Sequence, residues 1–353
     1  MKHEILIMKS LIYYQTEAYK KLNESINGTS SIVILCDTNT KQHCLPYLLS
    51  LTPKLKRAFV IVIPEGEKSK EWKYAVRICE KLLKNNADKH TLFINLGGGV
   101  VCDVGAFVAS VFKRGIPYVN IPTSLMAQVD AAIGGKTAIN LNGIKNQIGT
   151  FQFPQAVCIF TEFLSTLTEQ QVYAGFAEML KHALITDRNY WDELKNLQHS
   201  KQIISAFDLI KKSAEIKSAI VNIDFYEKNV RKKLNFGHTI GHVLESLCME
   251  NKSTILHGEV VAWGMLAEAY ISWEKKLLSQ QTLDEIETII RFYYKPISLL
   301  KNRDDILRFL YADKKRVGDE LNLTLLKNIG TTVINQHCSD KEVISAIQYL
   351  NEY

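Results

Sequence analysis

Histidine and carboxylate side chains in the second half of the chain have the chemistry of a metal site. His238 and His242 are four residues apart, so on a helix both face the same side. His257 follows in the segment LHGE, and Glu178 lies in GFAEMLKHALI. Two imidazoles and a carboxylate with open coordination positions are typical of a catalytic zinc ion. Spacing leaves the ligand set open among six candidates: Glu178, His182, His238, His242, His257 and Glu259.

A run of three glycines, Gly97–Gly99, is a candidate diphosphate-binding turn. It follows an apolar run and precedes a helical pattern that starts near Cys102. Bare backbone N–H groups at a helix N-terminus suit a diphosphate, although the full G-x-G-x-x-G pattern is absent and a simple tight turn would also explain the glycines. Asp37 ends an earlier apolar run, where a carboxylate can accept hydrogen bonds from ribose hydroxyls. These features favour a dinucleotide.

The segment from Ile121 to Gly149 places charged and amide side chains among small residues. Glycine beside lysine lets an ammonium group reach a phosphate without crowding. The sequence around Lys136 lacks the first glycine of a Walker loop, because that place holds Asp130, and this disfavours a P-loop nucleoside triphosphatase. Its charged and amide residues of interest are Asp130, Lys136, Lys145 and Asn146.

The elements that must position these residues change in character along the chain. Short β-branched runs predict strands at 31–37, 59–66, 91–99 and 118–125, and a helix at 70–84. Later segments predict helices at 171–186, 201–223, 238–248, 260–273 and 282–293, with a strand at 321–330. We therefore predict an α/β Rossmann-like domain at 1–165, with a parallel sheet, and a mostly α-helical domain at 166–353.

Composition excludes several classes of protein. The 353 residues are 46% hydrophobic, which excludes disorder, and the net charge of +6 is too small for a nucleic-acid binder but suits an anionic small molecule. Seven scattered cysteines without a C-x-x-C pair exclude a disulfide framework and a thiolate zinc site. The N-terminus has no signal-peptide pattern, and glycines with Asp103 interrupt the most apolar stretch. We predict a soluble, cytoplasmic protein that binds neither nucleic acid nor membrane.

Six separated motifs between Asp37 and Gly330 resemble the 3-dehydroquinate synthase family of the shikimate pathway and aromatic amino acid biosynthesis. The motifs are GGGVVCD, KRGIPYVNIPTSLMAQVDAAIGGKTAIN, KNQIG, GFAEMLKHALI, NFGHTIGH and LHGE. The resemblance implies a dehydroquinate synthase-like fold, a domain at 1–165 that binds NAD, and a domain at 166–353 that binds a divalent metal (zinc or cobalt) and substrate. It also implies a homodimer.

The resemblance also assigns individual residues. The metal ligands would be Glu178, His238 and His257. Contacts to NAD are implied for Asp37, Asn39, Glu67, Lys70, Gly98, Gly99, Asp103, Thr123, Ser124, Lys136, Lys145, Phe163 and Thr166. Catalytic and substrate-handling positions would be Arg114, Asp130, Lys136, Asn146, Lys181, Lys217, Arg231, Asn235, His242 and Lys314, the last left open against Lys315. Arg231 precedes His238 by seven residues, about two turns if that segment is helical.

The implied activity is that of a phosphate-eliminating lyase. It would convert 3-deoxy-D-arabino-heptulosonate 7-phosphate to 3-dehydroquinate and phosphate, with NAD reduced only transiently. Departures from the family pattern at Cys102, Ile144 and Thr168–Gln171 affect loops and remove no ligand or acid–base group. The alternatives are another sugar phosphate cyclase (2-deoxy-scyllo-inosose or 2-epi-5-epi-valiolone synthase), a metal-dependent alcohol or glycerol dehydrogenase, and a non-enzymatic binding module.

Overall fold

The chain forms two compact units, Met1–Thr168 and Glu169–Tyr353. The computed structural model describes residues 11–142, 144–250, 255–297, 303–312, 316–317 and 320–351. Among these residues, no helix combines the length and the apolar character that crossing a bilayer requires. The apolar stretch around the three glycines is instead a strand followed by a helix.

The first unit is built on a six-stranded sheet in which every strand pair is parallel. In chain order its strands are β1 (Ile12–Tyr14), β2 (Ile32–Asp37), β3 (Phe59–Ile63), β4 (Leu92–Gly97), β5 (Tyr118–Pro122) and β8 (Ala156–Ile159), with β6 (Ile139–Leu141) and β7 (Ile144–Ile148) forming a separate antiparallel hairpin. The helices are α1 (Gln15–Ile26), α2 (Thr38–His43), α3 (Leu45–Leu51), α4 (Trp72–Lys84) and α5 (Gly99–Val111). The strand order is β1-β8-β5-β4-β2-β3.

The strands form where the sequence is almost continuously apolar because helices cover both faces of the sheet. Side chains of a strand alternate between faces, so Leu35 packs with α4 and α5 while its neighbour Ile34 packs with α1 and α3. Helix α4 buries Ala75, Ile78 and Leu82, the three- and four-residue spacing of one helix face.

The order of the strands places a switch point between β2 and β4. The chain passes from β2 outward to β3 and then returns to add β4 on the other side of β2. In open parallel sheets, ligands bind at the carboxyl ends of the two strands that flank such a point. Those ends carry Asp37 and Gly97, which were both singled out by the sequence.

The second unit is mostly helical. Its helices are α6 (Glu169–Thr186), α7 (Arg188–Leu194), α8 (Ser200–Ser205), α9 (Phe207–Ile223), α10 (His238–Glu250), α11 (His257–Glu274), α12 (Gln280–Tyr293), α13 (Arg303–Ala312) and α14 (Asp340–Tyr349). A three-stranded antiparallel sheet consists of β9 (Arg316–Val317), β10 (Glu320–Asn328) and β11 (Thr331–Cys338). Helix α11 is buried around almost its whole circumference because α6, α10, α12, α14 and β10 surround it.

Two expectations about these helices were wrong. The helix predicted at 201–223 is interrupted at Ala206, which separates α8 from α9. The segment before His238 is not α-helical, since Val230–Asn235 is a short 3-10 helix and Gly237 has a φ of 78°. Arg231 therefore does not lie two α-helical turns before His238.

Candidate metal centre and nucleotide-binding turn

Three predicted metal ligands of the second unit lie together. Ligand atoms of Glu178, His238 and His257 are all within 4.8 Å of one another. Glu178 lies in the middle of α6, and the two histidines are the first residues of α10 and α11. The ring of His242 lies 5.7 Å from that of His238 and 5.9 Å from that of His257, measured between centroids. Side chains from three helices, with Glu178 and His257 being 79 positions apart in the sequence, thus form one cluster.

Glycines allow the three helices to approach closely enough for this cluster to form. A side chain on Gly258, next to His257, would overlap the Ala174 carbonyl of α6. A side chain on Gly264 of α11 would overlap the carbonyl of Gly237, which directly precedes α10. Gly237 itself has a left-handed φ of 78°, which glycine adopts readily. Each ligand-bearing helix is therefore located by a backbone contact that any larger residue would break.

The carboxylate of Glu178 suits a cation. Its side chain is fully buried, and within the described residues neither oxygen accepts a hydrogen bond from a neutral donor. Lys181, one turn along α6 and also buried, forms an ion pair with it. His238 Nε2 lies 3.7 Å from Glu178 Oε1. A buried carboxylate is normally satisfied by several hydrogen bonds, so the observed environment fits a divalent metal that shares this carboxylate with two imidazoles.

The rings of both histidines are held through Nδ1. His238 Nδ1 lies 3.4 Å from the Phe236 carbonyl oxygen, and His257 Nδ1 lies 3.4 Å from Glu245 Oε1. A contact of this kind at one ring nitrogen sets the tautomer and leaves the other nitrogen for a metal. These contacts favour Nε2 as the ligand atom of each histidine.

Two of the six candidate ligands have other contacts. His182 is buried, and its Nδ1 lies 2.7 Å from the Ser213 hydroxyl of α9. Glu259 accepts hydrogen bonds from the Leu256 backbone N–H and the Gln170 amide, at 2.8 and 2.9 Å. The capping role of Glu259 at the start of α11 explains its place in the LHGE segment.

The predicted anion-binding residues of this unit occupy buried or half-buried positions. Lys217 lies on α9 with 7% of its surface exposed, and Arg231 is 3% exposed. Arg231 Nη1 donates to the Phe225 carbonyl at 2.7 Å, and Asn235 donates to Glu227 at 2.6 Å. Arg231 is therefore not a surface arginine.

Asp224 organises the loop that leads to Arg231. Its carboxylate accepts backbone N–H groups of Lys228, Asn229 and Arg231 at 2.9, 2.6 and 3.1 Å. Burial by itself would raise the pKa of Asp224, but these donors stabilise the charged form more strongly and the pKa is lowered. No motif of the sequence predicted this role of Asp224.

In the first unit, the glycine turn leads into α5 as predicted. Gly97 is required by packing, because a Cβ there would overlap Val101. A Cβ on Gly98 would lie 3.3 Å from Ser124 Oγ, and one on Gly99 would lie 3.3 Å from Ala131 Cβ. The bare backbone of these two glycines therefore leaves room at the N-terminus of a 13-residue helix, where an anion is favoured.

Asp37 lies at the end of the neighbouring strand β2, and one oxygen of its carboxylate caps α2. Its Oδ1 accepts from the Thr40 N–H at 2.7 Å and from the Thr40 hydroxyl at 3.0 Å, which caps α2. These bonds involve Oδ1 alone, and Oδ2 is a second acceptor atom at this strand end. Asn39 is exposed in the first turn of the same helix.

A hydrogen-bond network joins predicted nucleotide and substrate residues. The buried ammonium of Lys70 donates to Asp103 and to Asn146, both at 2.6 Å. Asn140 donates to Glu67 at 2.7 Å and accepts from the Asn146 N–H at 2.9 Å. The network ties the β6–β7 hairpin to the Glu67–Lys70 turn. The sequence did not predict a role for Asn140 in this network, although Asn140 is the last residue of the longest of the six motifs.

The remaining predicted residues of the first unit differ in accessibility. Ser124 and Lys145 are half-buried, Thr123 is buried, and Lys136 and Thr166 are exposed. Phe163 is 1% exposed and packs against Tyr47 and Phe160, so its side chain belongs to the core.

Two predicted substrate-handling residues of this unit have an unusual backbone conformation. Asp130 lies in a π-helical turn, Ala127–Ala131, a distortion that is frequent at functional sites. Exposed Arg114 has a φ of 67° and follows Lys113 at 49°, a strained pair of left-handed residues. Lys314, with Lys315, lies outside the described residues.

Two departures from the family pattern are accommodated by the structure. Cys102 is 1% exposed, and its Sγ lies 3.6 Å from the Gly97 carbonyl oxygen. Burial raises the pKa of this thiol, so it is an inert packing residue. Ile144 is 60% exposed at the start of β7, where its side chain crowds nothing in the core.

Solved structures that resemble this fold include two sugar phosphate cyclases. A 2-epi-5-epi-valiolone synthase from Streptomyces hygroscopicus subsp. jinggangensis, with NAD+ and Zn2+ bound, matches with a TM-score of 0.86 and 24% identity, over 97% of this chain and 96% of that chain. A 2-deoxy-scyllo-inosose synthase complexed with carbaglucose-6-phosphate, NAD+ and Co2+ has a TM-score of 0.82 and 23% identity, over 96% of both chains. The predicted fold class is confirmed.

Sequence comparison is more specific. A family model described as 3-dehydroquinate synthase N-terminal matches residues 60–174, and one described as 3-dehydroquinate synthase C-terminal matches residues 175–316. The 3-dehydroquinate synthase of Parabacteroides distasonis is 38% identical over 91% of this chain and 91% of its own length. This chain belongs to the 3-dehydroquinate synthase family, which confirms the predicted resemblance.

Proposed function

We propose that this chain catalyses the 3-dehydroquinate synthase reaction. The substrate would be 3-deoxy-D-arabino-heptulosonate 7-phosphate and the products 3-dehydroquinate and phosphate, so the enzyme would be a phosphate-eliminating lyase of the shikimate pathway. The observation that carries the proposal is Glu178, a buried carboxylate that lies with His238 and His257 beside buried Lys181. Membership of the family supports the particular reaction.

NAD and a divalent metal, zinc or cobalt, are the proposed cofactors. When bound, NAD supplies a reversible hydride acceptor and the metal a Lewis acid for the reacting hydroxyl. Glu178, His238 and His257 would hold the metal. The two similar structures contain NAD+ together with Zn2+ or Co2+, which supports this choice.

The domain at 1–165 would bind NAD. Gly98 and Gly99 would present backbone N–H groups of α5 to the diphosphate. Asp37 would accept from a ribose hydroxyl while its other oxygen caps α2. The network through Lys70 and Asn140 would hold the nucleotide turn and the β6–β7 hairpin in one arrangement. The further proposed contacts are those of Asn39, Glu67, Asp103, Thr123, Ser124, Lys136, Lys145, Phe163 and Thr166.

Cationic residues would recognise the two anionic groups of the substrate. Arg231 presents a planar guanidinium that can bind a carboxylate or phosphate at two points, whereas Lys181 and Lys217 act as point charges. His242 would relay a proton, since an unperturbed imidazole titrates near neutral pH. The other proposed catalytic positions are Arg114, Asp130, Lys136, Asn146, Asn235 and Lys314. We further propose a cytoplasmic homodimer.

Incubation with the heptulosonate phosphate tests the reaction. With Zn2+ and NAD in less than the amount of substrate, phosphate and dehydroquinate should form in excess of NAD, without steady accumulation of NADH. NADH formed in step with substrate consumption would instead indicate a dehydrogenase. Glu178→Gln should abolish turnover, whereas Glu169→Gln, on the same helix but at the surface with Tyr173 and Ser200 as partners, should not.

The similar sugar phosphate cyclases define the second candidate function. They share the fold and have 23–24% identity to this chain, a level that does not set the substrate. A substrate without a carboxylate, such as glucose 6-phosphate, discriminates the two candidates. Turnover of glucose 6-phosphate as efficient as that of the heptulosonate would contradict the proposed function.

A further inference from the structure

Two buried glutamates, Glu245 and Glu268, lie behind the histidines of the proposed metal site. Glu245 is on α10 and is 6% exposed, whereas Glu268 is on α11 and fully buried. No motif singled out either residue, and neither belongs to the proposed ligand set. Burial of a carboxylate has a free-energy cost that only specific partners offset. Their contacts therefore indicate what they do.

Glu245 contacts a ring that belongs to the other helix. Its Oε1 lies 3.4 Å from Nδ1 of His257, the first residue of α11. A carboxylate at Nδ1 favours the tautomer with a proton on that nitrogen and orients the ring. The remaining nitrogen, Nε2, is then deprotonated and is the one that can bind a metal. Glu245 of α10 thus orients the imidazole ring of His257, the metal ligand that α11 would supply.

Glu268 makes the reverse connection. Its two carboxylate oxygens accept backbone N–H groups at the start of α10, from Gly237 at 2.7 Å and from Ile240 at 3.3 Å. The first N–H groups of a helix have no acceptor within the helix, and a capping side chain normally satisfies them. Gly237 has no side chain to do so. A negative charge at this end is also favoured by the helix dipole. Helix α11 thus locates the backbone of His238, the first residue of α10.

We propose that Glu245 and Glu268 are positioning residues that form a reciprocal brace across the metal site. Each helix of the pair supplies one histidine and one carboxylate. Glu245 contacts the ring of His257, and Glu268 holds the backbone on either side of His238. The brace holds both imidazoles in place before the metal arrives, so less ordering is required on binding. This inference rests on the proposed metal set of Glu178, His238 and His257.

Metal affinity tests the brace without reference to turnover. Apoprotein would be titrated with Zn2+ against a competing chromophoric chelator, and with Co2+ while its visible absorption is recorded. Glu245→Gln should weaken Zn2+ binding about 10–100-fold, the usual effect of removing a partner behind a metal ligand, and should alter the Co2+ spectrum. Glu268→Gln should act in the same direction, because its amide nitrogen cannot accept an N–H.

Matched controls come from the same two helices. Glu250→Gln on α10 loses the charge that pairs with Arg308 at the surface, and Glu274→Gln on α11 loses a surface charge that accepts hydrogen bonds from Tyr270 and Ser345. Both should keep wild-type Zn2+ affinity. If Glu268→Gln does not fold, Glu245→Gln decides alone.

The outcomes separate the brace from the metal site on which it rests. Wild-type affinity and an unchanged Co2+ spectrum in Glu245→Gln, together with loss of Zn2+ in His257→Ala, would overturn the brace alone. Full Zn2+ binding by His257→Ala would overturn the metal assignment itself.

Discussion

Arg231→Ala should impair turnover of a carboxylated substrate far more than it impairs folding. The side chain of Arg231 is 3% exposed, and its Nη1 donates to the Phe225 carbonyl at 2.7 Å. Its backbone N–H is held separately by Asp224. Truncation to alanine therefore removes the guanidinium while Asp224 still anchors the loop.

Removal of the Arg231 side chain should change two free energies that are measured separately, the activation barrier of turnover and the free energy of unfolding. Loss of a charge-assisted hydrogen bond to the substrate raises the barrier by about 1.5–3 kcal/mol, roughly 10- to 150-fold in kcat/KM. Loss of the bond from the same charged guanidinium to the Phe225 carbonyl lowers the free energy of unfolding by a similar amount, about 1.5–3 kcal/mol. A native protein with about 5–15 kcal/mol of stability stays folded after such a loss, so kcat/KM should fall far more than the folded fraction.

The assay compares kcat/KM for the heptulosonate phosphate with the free energy of unfolding in denaturant. Arg231→Lys should recover part of the activity, because an ammonium cannot make the planar two-point contact. Lys232→Ala is the matched control, since this neighbouring cation donates to Asn335 and has no proposed role with substrate.

An Arg231→Ala enzyme with wild-type kcat/KM would refute the reasoning, as would equal losses in Arg231→Ala and Lys232→Ala. If the loss of activity matched a gross loss of folded protein, the binding argument would be wrong and a structural one would replace it.

Three other perturbations have defined outcomes. Gly98→Val should weaken NAD binding by calorimetry without unfolding the protein, because the new side chain fills the space 3.3 Å from Ser124 Oγ; an unchanged dissociation constant would contradict the turn's role. His257→Ala should lose Zn2+, measured by elemental analysis, and activity together, while chelation of the wild type should do so reversibly. The pKa of Asp224 is lower in the folded protein than its unfolded value near 3.8, so its negative charge stabilises the fold at pH values above that unfolded pKa. This stabilisation is lost as the pH falls through the folded pKa. The unfolding free-energy difference between wild type and Asp224→Asn should thus be constant near neutral pH and shrink below about pH 4; a difference that grows in acid would contradict this sign.

Much of the first unit could be predicted because its strands and turns have sequence patterns that are local. Strands β2 to β5 are apolar runs of the kind that a sheet buried on both faces requires, and each was located to within a few residues. The glycine turn before α5 and Asp37 at the end of β2 were also found from their positions at strand ends. The short strands β1 and β8 were missed, since three or four residues carry too little pattern.

Sequence by itself also determined the family, because six motifs occur in the family's order, and it supplied the residue types that a metal site and a nucleotide turn need. Tertiary structure decided which of them meet. The spacing of His238 and His242 could not show that His257, from another helix, would complete the group with Glu178, or that His182 would pair with Ser213.

The close approach of these side chains depends on glycine contacts between α6, α10 and α11 and on carboxylates such as Glu245 and Glu268, which form hydrogen bonds with a neighbouring helix. Neither the glycines nor the carboxylates that make these contacts form a periodic pattern in the sequence. Local spacing determines which face of one helix a side chain occupies, whereas the distance between side chains on different helices is set by how closely their backbones pack.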